Sequence, residues 1–526
     1  MNQRNVGILR LDLIALAVIL LSLAVRWWFV ASGQLNLIQD EAQYWDWTRR
    51  LQLSYYSKGP LIAWVITTGC KLFGSTELGV RFGSIIGMTG IQLALYLGIS
   101  RVWREHRLAL FTLVVAATMP MLNALGILMT TDNPLILCWT VGFFALSAAT
   151  RNRPDETVSN TPFIILGITV ALGILAKYMM LVFAVLAIIH ALILHFRGQL
   201  PARFWSRFLI ALLAGTVVGM LPIILWNMQN DWVGFRHVAR QTAGKSGISH
   251  MRIGPFFEML GAQIGLMAPW WFVLIMTGSG RAIKKSWIGP IGSFDQKYRN
   301  ILQAVLFFWP LWGFITLWAI HSKTEANWTA AAFMAGSILG GVGLMKWWDA
   351  AGRRCRGRAI LVGVATLLTL LMYASPLLPL PDKYNITDRL KGWQSLGKQV
   401  GEMMQSGFDD PTKVFVFSDE YDITSELAFY TPGQPLTYCA WVHDRRMNQY
   451  DLWPGPNADK MGWNAILVRE RWYENNTHPL IAKMFEEISS PKLIYSTQNG
   501  HHYRKFTLRR CKDYNGFWPK QTDGRF

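Results

Sequence analysis

Between residues 11 and 380 long apolar runs alternate with short polar breaks. A helix of about 20 apolar residues crosses the roughly 30 Å hydrocarbon core of a bilayer. Such runs fall at 11–30, 78–100, 108–129, 133–150, 162–176, 178–195, 208–226, 256–280, 301–320, 329–346 and 359–378. The stretch 162–195 would be about 51 Å long as one helix, so it is divided into two short spans turning near Ala176–Lys177. The pattern predicts a polytopic α-helical membrane protein with about 11 transmembrane helices. The first run lacks a small-residue cleavage site and many further spans follow it, so it reads as a span and not as a cleaved signal.

After Pro381 the pattern changes to that of a small α/β domain. Strands are expected at Lys413–Ser418, Ala465–Arg469, Lys492–Ser496 and Tyr503–Arg509, with helices at 388–406, 421–430 and 478–488. The chain therefore divides into a transmembrane part, 1–380, and a soluble domain, 381–526.

Composition adds sidedness. The net charge of +19 could suggest a nucleic-acid partner, but 20 of the 51 Lys and Arg lie in six short segments between alternate apolar runs. These are Arg4/Arg10, Arg101–Arg107, Arg151/Arg153, Arg197–Arg207, Arg281–Arg299 and Lys346–Arg358. Short basic loops mark the cytoplasmic side. The charge reports topology, and no nucleic acid is expected. With the N-terminus inside and an odd number of spans, the outer, periplasmic face receives the loops 31–77, 227–255 and 321–328 and the C-terminal domain. Five Cys show no metal or redox spacing. Cys439 and Cys511 share the potentially oxidising compartment, which leaves a disulfide open.

The outer loops concentrate polar residues beside the membrane. Asp40 and Glu41 follow the first span directly, and carboxylates there can meet a substrate hydroxyl. Alternatively Asp40 caps a short interfacial helix, with Tyr44, Trp45 and Trp47 anchoring it among headgroups. In Tyr55-Tyr56-Ser57-Lys58-Gly59-Pro60, Lys58 precedes a helix start marked by Pro60, a combination that suits phosphate, and Gly59 lets the backbone approach a ligand. A snorkelling lysine is the plainer alternative. Asp132 sits in a short turn before Pro134, where an N-cap is the plainer reading. Lys177 and Tyr178 occupy the 162–195 turn, where a charge within apolar sequence is a functional candidate. Arg236, His237 and Arg240 make one outer loop basic, which suits an anionic headgroup. Lys323, Glu325 and Asn327 form a compact polar turn between two spans.

Asp40-Glu41-Ala42-x-Tyr44-Trp45 followed by Tyr55-Tyr56-x-Lys58-x-Pro60 resembles the first outer loop of bacterial GT-C glycosyltransferases, in the group related to protein O-mannosyltransferases and lipid A aminoarabinose transferase. Thr131-Asp132-x-Pro134, Lys177-Tyr178, Trp226-Asn227 with Asp231-Trp232, and Glu325-x-Asn327-Trp328 are similar to later landmarks in the same order. The resemblance covers roughly residues 10–345. It implies a polyprenyl-phosphate sugar donor, with Asp40 serving the acceptor or the reacting centre, Lys58 on the carrier phosphate and Asp132 as a second acidic position. Aminoarabinose transferases have Glu before that lysine and Pro after it; here Ser57 and Gly59 stand there, so neither a metal site nor lipid A as acceptor carries over from this motif.

The resulting expectation is a glycosyltransferase moving a sugar from undecaprenyl phosphate to a lipid, glycan or protein, with inversion. Asp40, Glu41 and Asp132 are the catalytic candidates. Lys58, Arg236, Arg240 and Lys323 are placed on the phosphate, and Tyr44, Tyr56, Lys177, Tyr178, His237, Glu325 and Asn327 on the substrates. The sequence assigns no divalent metal or other cofactor. A flippase of lipid-linked sugars is the alternative; it should show paired broken helices and charges near the bilayer midplane.

Overall fold

A computed structural model describes residues 3–151, 159–243, 253–288, 296–322, 324–350, 356–377, 387–442, 445–456, 458–470 and 477–520. Its helices are α1 (Gln3–Ala31), α2 (Gln39–Thr48), α3 (Leu61–Phe73), α4 (Glu77–Leu97), α5 (His106–Ala117), α6 (Pro120–Leu125), α7 (Asp132–Ala149) and α8 (Thr161–Ala176). They continue as α9 (Met180–Phe196), α10 (Phe204–Gln229), α11 (Val233–Ala243), α12 (Ile253–Met267), α13 (Pro269–Ile288), α14 (Gln296–Trp318), α15 (Ala330–Asp349) and α16 (Arg356–Ala374).

All eleven apolar runs are helical. Among the described residues seven helices are long and apolar enough to cross a membrane, and α3, α5, α8 and α9 are shorter apolar helices. Two runs differ from the expectation of one straight span each. The 108–129 run breaks before Pro120, which starts α6. The 256–280 run bends by 94° between α12 and α13. The bend lies at Ala268, whose φ of 69° is left-handed, followed by Pro269, which has no N–H to continue the ladder.

In the helical part α7 and α15 form the interior, while α1 and α16 expose apolar side chains along their length. Small residues let the central helices touch backbone to backbone. A side chain at Gly278 of α13 would overlap the Leu339 carbonyl of α15.

The C-terminal part adds α17 (Trp393–Ser406), β1 (Val414–Ser418), α18 (Tyr421–Tyr430), β2 (Thr437–Cys439), α19 (Gln449–Leu452), β3 (Asn464–Arg469), α20 (Pro479–Ala482), β4 (Phe485–Ile488), β5 (Lys492–Gln498) and β6 (His501–Tyr514). The sheet runs β2-β1-β3-β6-β4, with β5 also paired to β6. Strands β1–β3 are parallel, and β6 runs antiparallel to β3, β4 and β5. Both faces of β1 are buried, which explains its unbroken Val-Phe-Val-Phe run. The helix expected at 478–488 is only the short α20, because Phe485–Ile488 leaves it to pair with β6. Cys439 and Cys511 are buried free thiols. Two strands lie between theirs, a separation of roughly 14 Å at sheet spacing, so they do not form the disulfide left open above.

This sheet unit sits directly on the loop that follows α1. Asn36 donates its N–H to Leu390 O at 2.7 Å, and Asn36 Oδ1 accepts from Trp393 N at 3.0 Å. Tyr430 donates its hydroxyl to Glu77 at 2.6 Å and accepts from the Leu37 amide at 2.7 Å. Trp45 of α2 packs edge-on to Phe429 of α18. These contacts place the C-terminal part on the same side as the first loop, whatever the number of spans.

Candidate active site

Helix α2 starts one residue before Asp40. Its N-cap is Ile38, whose amide donates to Glu41 Oε2 at 3.0 Å. Glu41 also receives Arg81 Nη2 at 2.7 Å and the Met129 amide at 2.7 Å, all fully buried. Its oxygens are thus occupied with holding α2 against α4 and the turn before α7. The capping role considered for Asp40 belongs to Glu41, and Asp40 faces an open cavity one residue earlier.

That cavity has a volume of about 350 Å³. Asp40, Gln43, Tyr44 and Trp47 of α2 form one wall, with Tyr56, Ser57 and Lys58 beside them. His237 of α11 and Glu325, Asn327 and Trp328 form a second wall, and Tyr421, Arg446, Asn448 and Gln449 of the C-terminal part form a roof. Tyr44, Trp45 and Trp47 are buried in protein, with Trp47 stacked on Tyr55 at 4.2 Å, so they do not anchor α2 among headgroups.

Local packing sets the position of Lys58. Any side chain at Gly59 would overlap the carbonyl oxygen of Leu175 in α8. The close approach required of Gly59 is to this backbone, not to a ligand, and it brings Lys58 against the α8–α9 turn. There Lys177 Nζ pairs with Asp132 Oδ1 at 2.7 Å, and Asn327 Nδ2 donates to Asp132 Oδ2 at 2.9 Å. Asp132 is the first residue of α7, with Thr131 as N-cap, so it serves as a hub between α7, the α8–α9 turn and the 325–328 turn. Gln263 of α12 holds that last turn from below, donating to Ala326 O at 3.0 Å and accepting from Thr329 at 2.5 Å.

The electrostatics follow from enclosure. Burial raises the Asp40 carboxyl, partly offset by Lys58 and Arg446. Burial lowers the Lys58 ammonium to about 8, with Lys177 acting in the same direction and Asp40 and Asp132 opposing. Burial, Arg446 and Lys58 together lower His237 to about 4, so its imidazole is neutral beside the Tyr56 ring at 4.6 Å. A carboxyl with raised pKa is a better proton acceptor near neutrality. An ammonium poised near 8 becomes fully charged when an anion arrives.

Of the sequence candidates, Asp40, Tyr44, Tyr56, Lys58, His237, Glu325 and Asn327 line the cavity. Asp132 and Lys177 stand behind its wall as an ion pair. Tyr178 and Glu41 also lie outside the lining, as do the exposed Arg236 and Arg240. Lys323 lies outside the described residues. The four roof residues were not among the candidates. Tyr421 entered only as the start of the helix expected at 421–430, and nothing in the coil around Arg446 signals that it folds back over α2. Among the described residues no three His, Cys, Asp or Glu side chains come together as metal ligands.

Residues 57–226 match the family described as dolichyl-phosphate-mannose-protein mannosyltransferase. The structure superposes on ArnT from Cupriavidus metallidurans bound to undecaprenyl phosphate with a TM-score of 0.64 and 15% identity, covering 94% of this chain and 97% of the other. The chain is a relative of the GT-C glycosyltransferases. This GT-C relative also superposes on the oligosaccharyltransferase AglB from Archaeoglobus fulgidus, with a TM-score of 0.53 and 12% identity over 93% of this chain and 74% of AglB. In sequence it is 28% identical to the lipid A galacturonosyltransferase RgtD of Rhizobium johnstonii over 74% of its own length and 77% of RgtD. It is 26% identical to the undecaprenyl phosphate-α-4-amino-4-deoxy-L-arabinose arabinosyl transferase of Erwinia tasmaniensis over 45% of its length and 42% of that protein.

Proposed function

We propose that the chain transfers a sugar from an undecaprenyl-phosphate carrier to lipid A, inside the 350 Å³ cavity between α2 and the C-terminal roof. The observation that carries this reading is the pairing in one enclosed space of an uncapped carboxylate, Asp40, with an ammonium, Lys58, at the start of an apolar helix. One similar protein is a lipid A galacturonosyltransferase and another an undecaprenyl phosphate-linked arabinosyl transferase, which supports this acceptor and this carrier here.

Lys58 lines the cavity three residues before α3 begins, so a carrier whose tail lies in lipid brings its phosphate there. The acceptor oxygen attacks the anomeric carbon as the bond from that carbon to the phosphate oxygen breaks. The electron pair leaves with the phosphate, giving polyprenyl phosphate, and Lys58 stabilises its charge. Asp40 takes the acceptor proton. Attack opposite the leaving group inverts the anomeric centre. Asp132, through Lys177 and Asn327, positions the wall around these groups. The protein is placed in a bacterial inner membrane with its N-terminus cytoplasmic. Residues 1–380 form the transmembrane domain and 381–526 a periplasmic domain that closes the site.

The test uses full-length protein in nanodiscs with undecaprenyl-phosphate sugars and lipid A, and measures release of free undecaprenyl phosphate. Release that is lost in both Asp40→Asn and Lys58→Ala supports the reading. Release by neither wild type nor variants with any donor overturns it, and carrier translocation in the same nanodiscs would then favour a flippase.

A further inference from the structure

Two adjacent arginines in the roof do different work. Arg445 is committed to its own segment: its Nη1 and Nη2 reach Asp451 at 2.9 and 2.8 Å, and its guanidinium lies 4.4 Å from the Trp441 ring centroid. Asp451 also accepts from the Asn448 amide at 2.8 Å, and Asn448 caps α19. The neighbouring Gln449 accepts from the Tyr56 amide at 2.7 Å. The backbone on both sides of Arg446 is therefore held in place, and its exposed side chain lines the cavity. Among the described residues no carboxylate lies within ion-pair distance of it.

A sugar linked through one phosphate to a polyprenol carries a single negative charge, which Lys58 meets at the membrane end of the cavity. Arg446, on the roof of the same cavity and in electrostatic range of Lys58 and Asp40, is a second cation beyond the one that this single charge needs. The tail keeps the phosphate at the membrane, so the roof meets the other end of the sugar. We infer that Arg446 is a specificity-determining residue that selects a donor sugar bearing a carboxylate, a uronic acid, by a charge-assisted hydrogen bond from its guanidinium. The fork geometry of a guanidinium matches a carboxylate, and such contacts are stronger than neutral ones. A neutral sugar forgoes this bond and a basic sugar is repelled by the guanidinium, which discriminates against both.

The inference rests on the transferase reading and is tested apart from it with two donors that differ only at one carbon. These are undecaprenyl-phosphate galacturonate and undecaprenyl-phosphate galactose, with lipid A as acceptor and full-length protein in nanodiscs. Wild type should prefer the galacturonate donor. Arg446→Gln should lower kcat/KM for that donor by about 100-fold and for the galactose donor by less than about threefold. Arg446→Lys should recover part of the loss, and Lys58→Ala should lose both donors. Binding of undecaprenyl phosphate alone, read as a thermal shift, should be unchanged in Arg446→Gln and shows that the variant is folded. Equal loss with both donors would assign Arg446 to the phosphate or to the acceptor and overturn the inference. So would unchanged selectivity, or a wild type that uses only galactose or an amino sugar. A wild type that uses no donor of any kind overturns the transferase reading itself.

Discussion

The backbone N–H of Tyr56 donates to the side-chain oxygen of Gln449 at 2.7 Å, across 393 residues of sequence and two positions from Lys58. This one bond sets the roof at a fixed height over the loop that carries the phosphate candidate. Gln449 also reaches Gln52, which in turn accepts from the Trp226 indole at 3.0 Å, so the roof, the first loop and the end of α10 form one frame.

Gln449→Ala should therefore loosen the site without unfolding the protein. A lost hydrogen bond of about 1 kcal/mol corresponds to roughly a fivefold rise in donor KM, with little change in melting temperature. Steady-state kinetics on the galacturonate and galactose donors would read it. An unchanged KM would mean that the roof is held by its other contacts.

The adjacent carboxylates should separate cleanly. Asp40→Asn is expected to cost about 10²–10⁴ in turnover with the thermal midpoint unchanged, the usual range for a lost proton acceptor. Glu41→Gln leaves Arg81 buried without its counter-charge and should destabilise the fold by about 3–5 kcal/mol. Midpoints and turnover measured on the same preparations would test both, and the opposite pattern would exchange the two roles.

Donor binding should weaken in alkali. Lys58 in the empty site titrates at about 8, so the phosphate meets an ammonium below that pH and a neutral amine above it. The dissociation constant of undecaprenyl phosphate should rise as the pH passes about 8, approaching tenfold per pH unit above it. Lys58→Arg, charged throughout, should abolish the rise. A rise that persists in that variant would point to another group.

Glu426 of α18 is buried with both carboxyl oxygens lacking a hydrogen-bond partner, and burial holds it well above the ordinary carboxylate range. In the folded protein it keeps its proton where the unfolded chain, titrating near 4.3, has lost it. The folded state then binds more protons, so stability falls as pH rises from about 4.3 towards the raised value and levels off beyond it. Glu426→Gln should flatten that slope in thermal unfolding from pH 4 to 8. A slope of unchanged size in the variant would assign it elsewhere.

Periodicity and charge were enough for the membrane class. All eleven apolar runs are helical, because a backbone in lipid must satisfy its own hydrogen bonds. Tyr421–Tyr430 was legible as a helix to the residue, since its propensities agree with its surroundings. The break at Ala268–Pro269 was marked by a proline but hidden within an apolar run. The helix expected through Ile488 was lost to pairing with β6, a partner more than twenty residues away.

For the site, the linear pattern puts Asp40, Lys58, Asp132, Lys177 and Asn327 at the polar ends of apolar runs. Any charge there must be paired or used. Which of the two it is depends on distances that no local pattern carries. It takes the folded chain to show that Glu41 is consumed by Arg81 while Asp40 is not, that Lys177 answers Asp132 while Lys58 faces the cavity, and that Arg446 lines the same cavity. A hydrogen-bonded pair needs its partners within about 3 Å, and such separations arise from helix packing and from a sheet unit folded back across the whole chain.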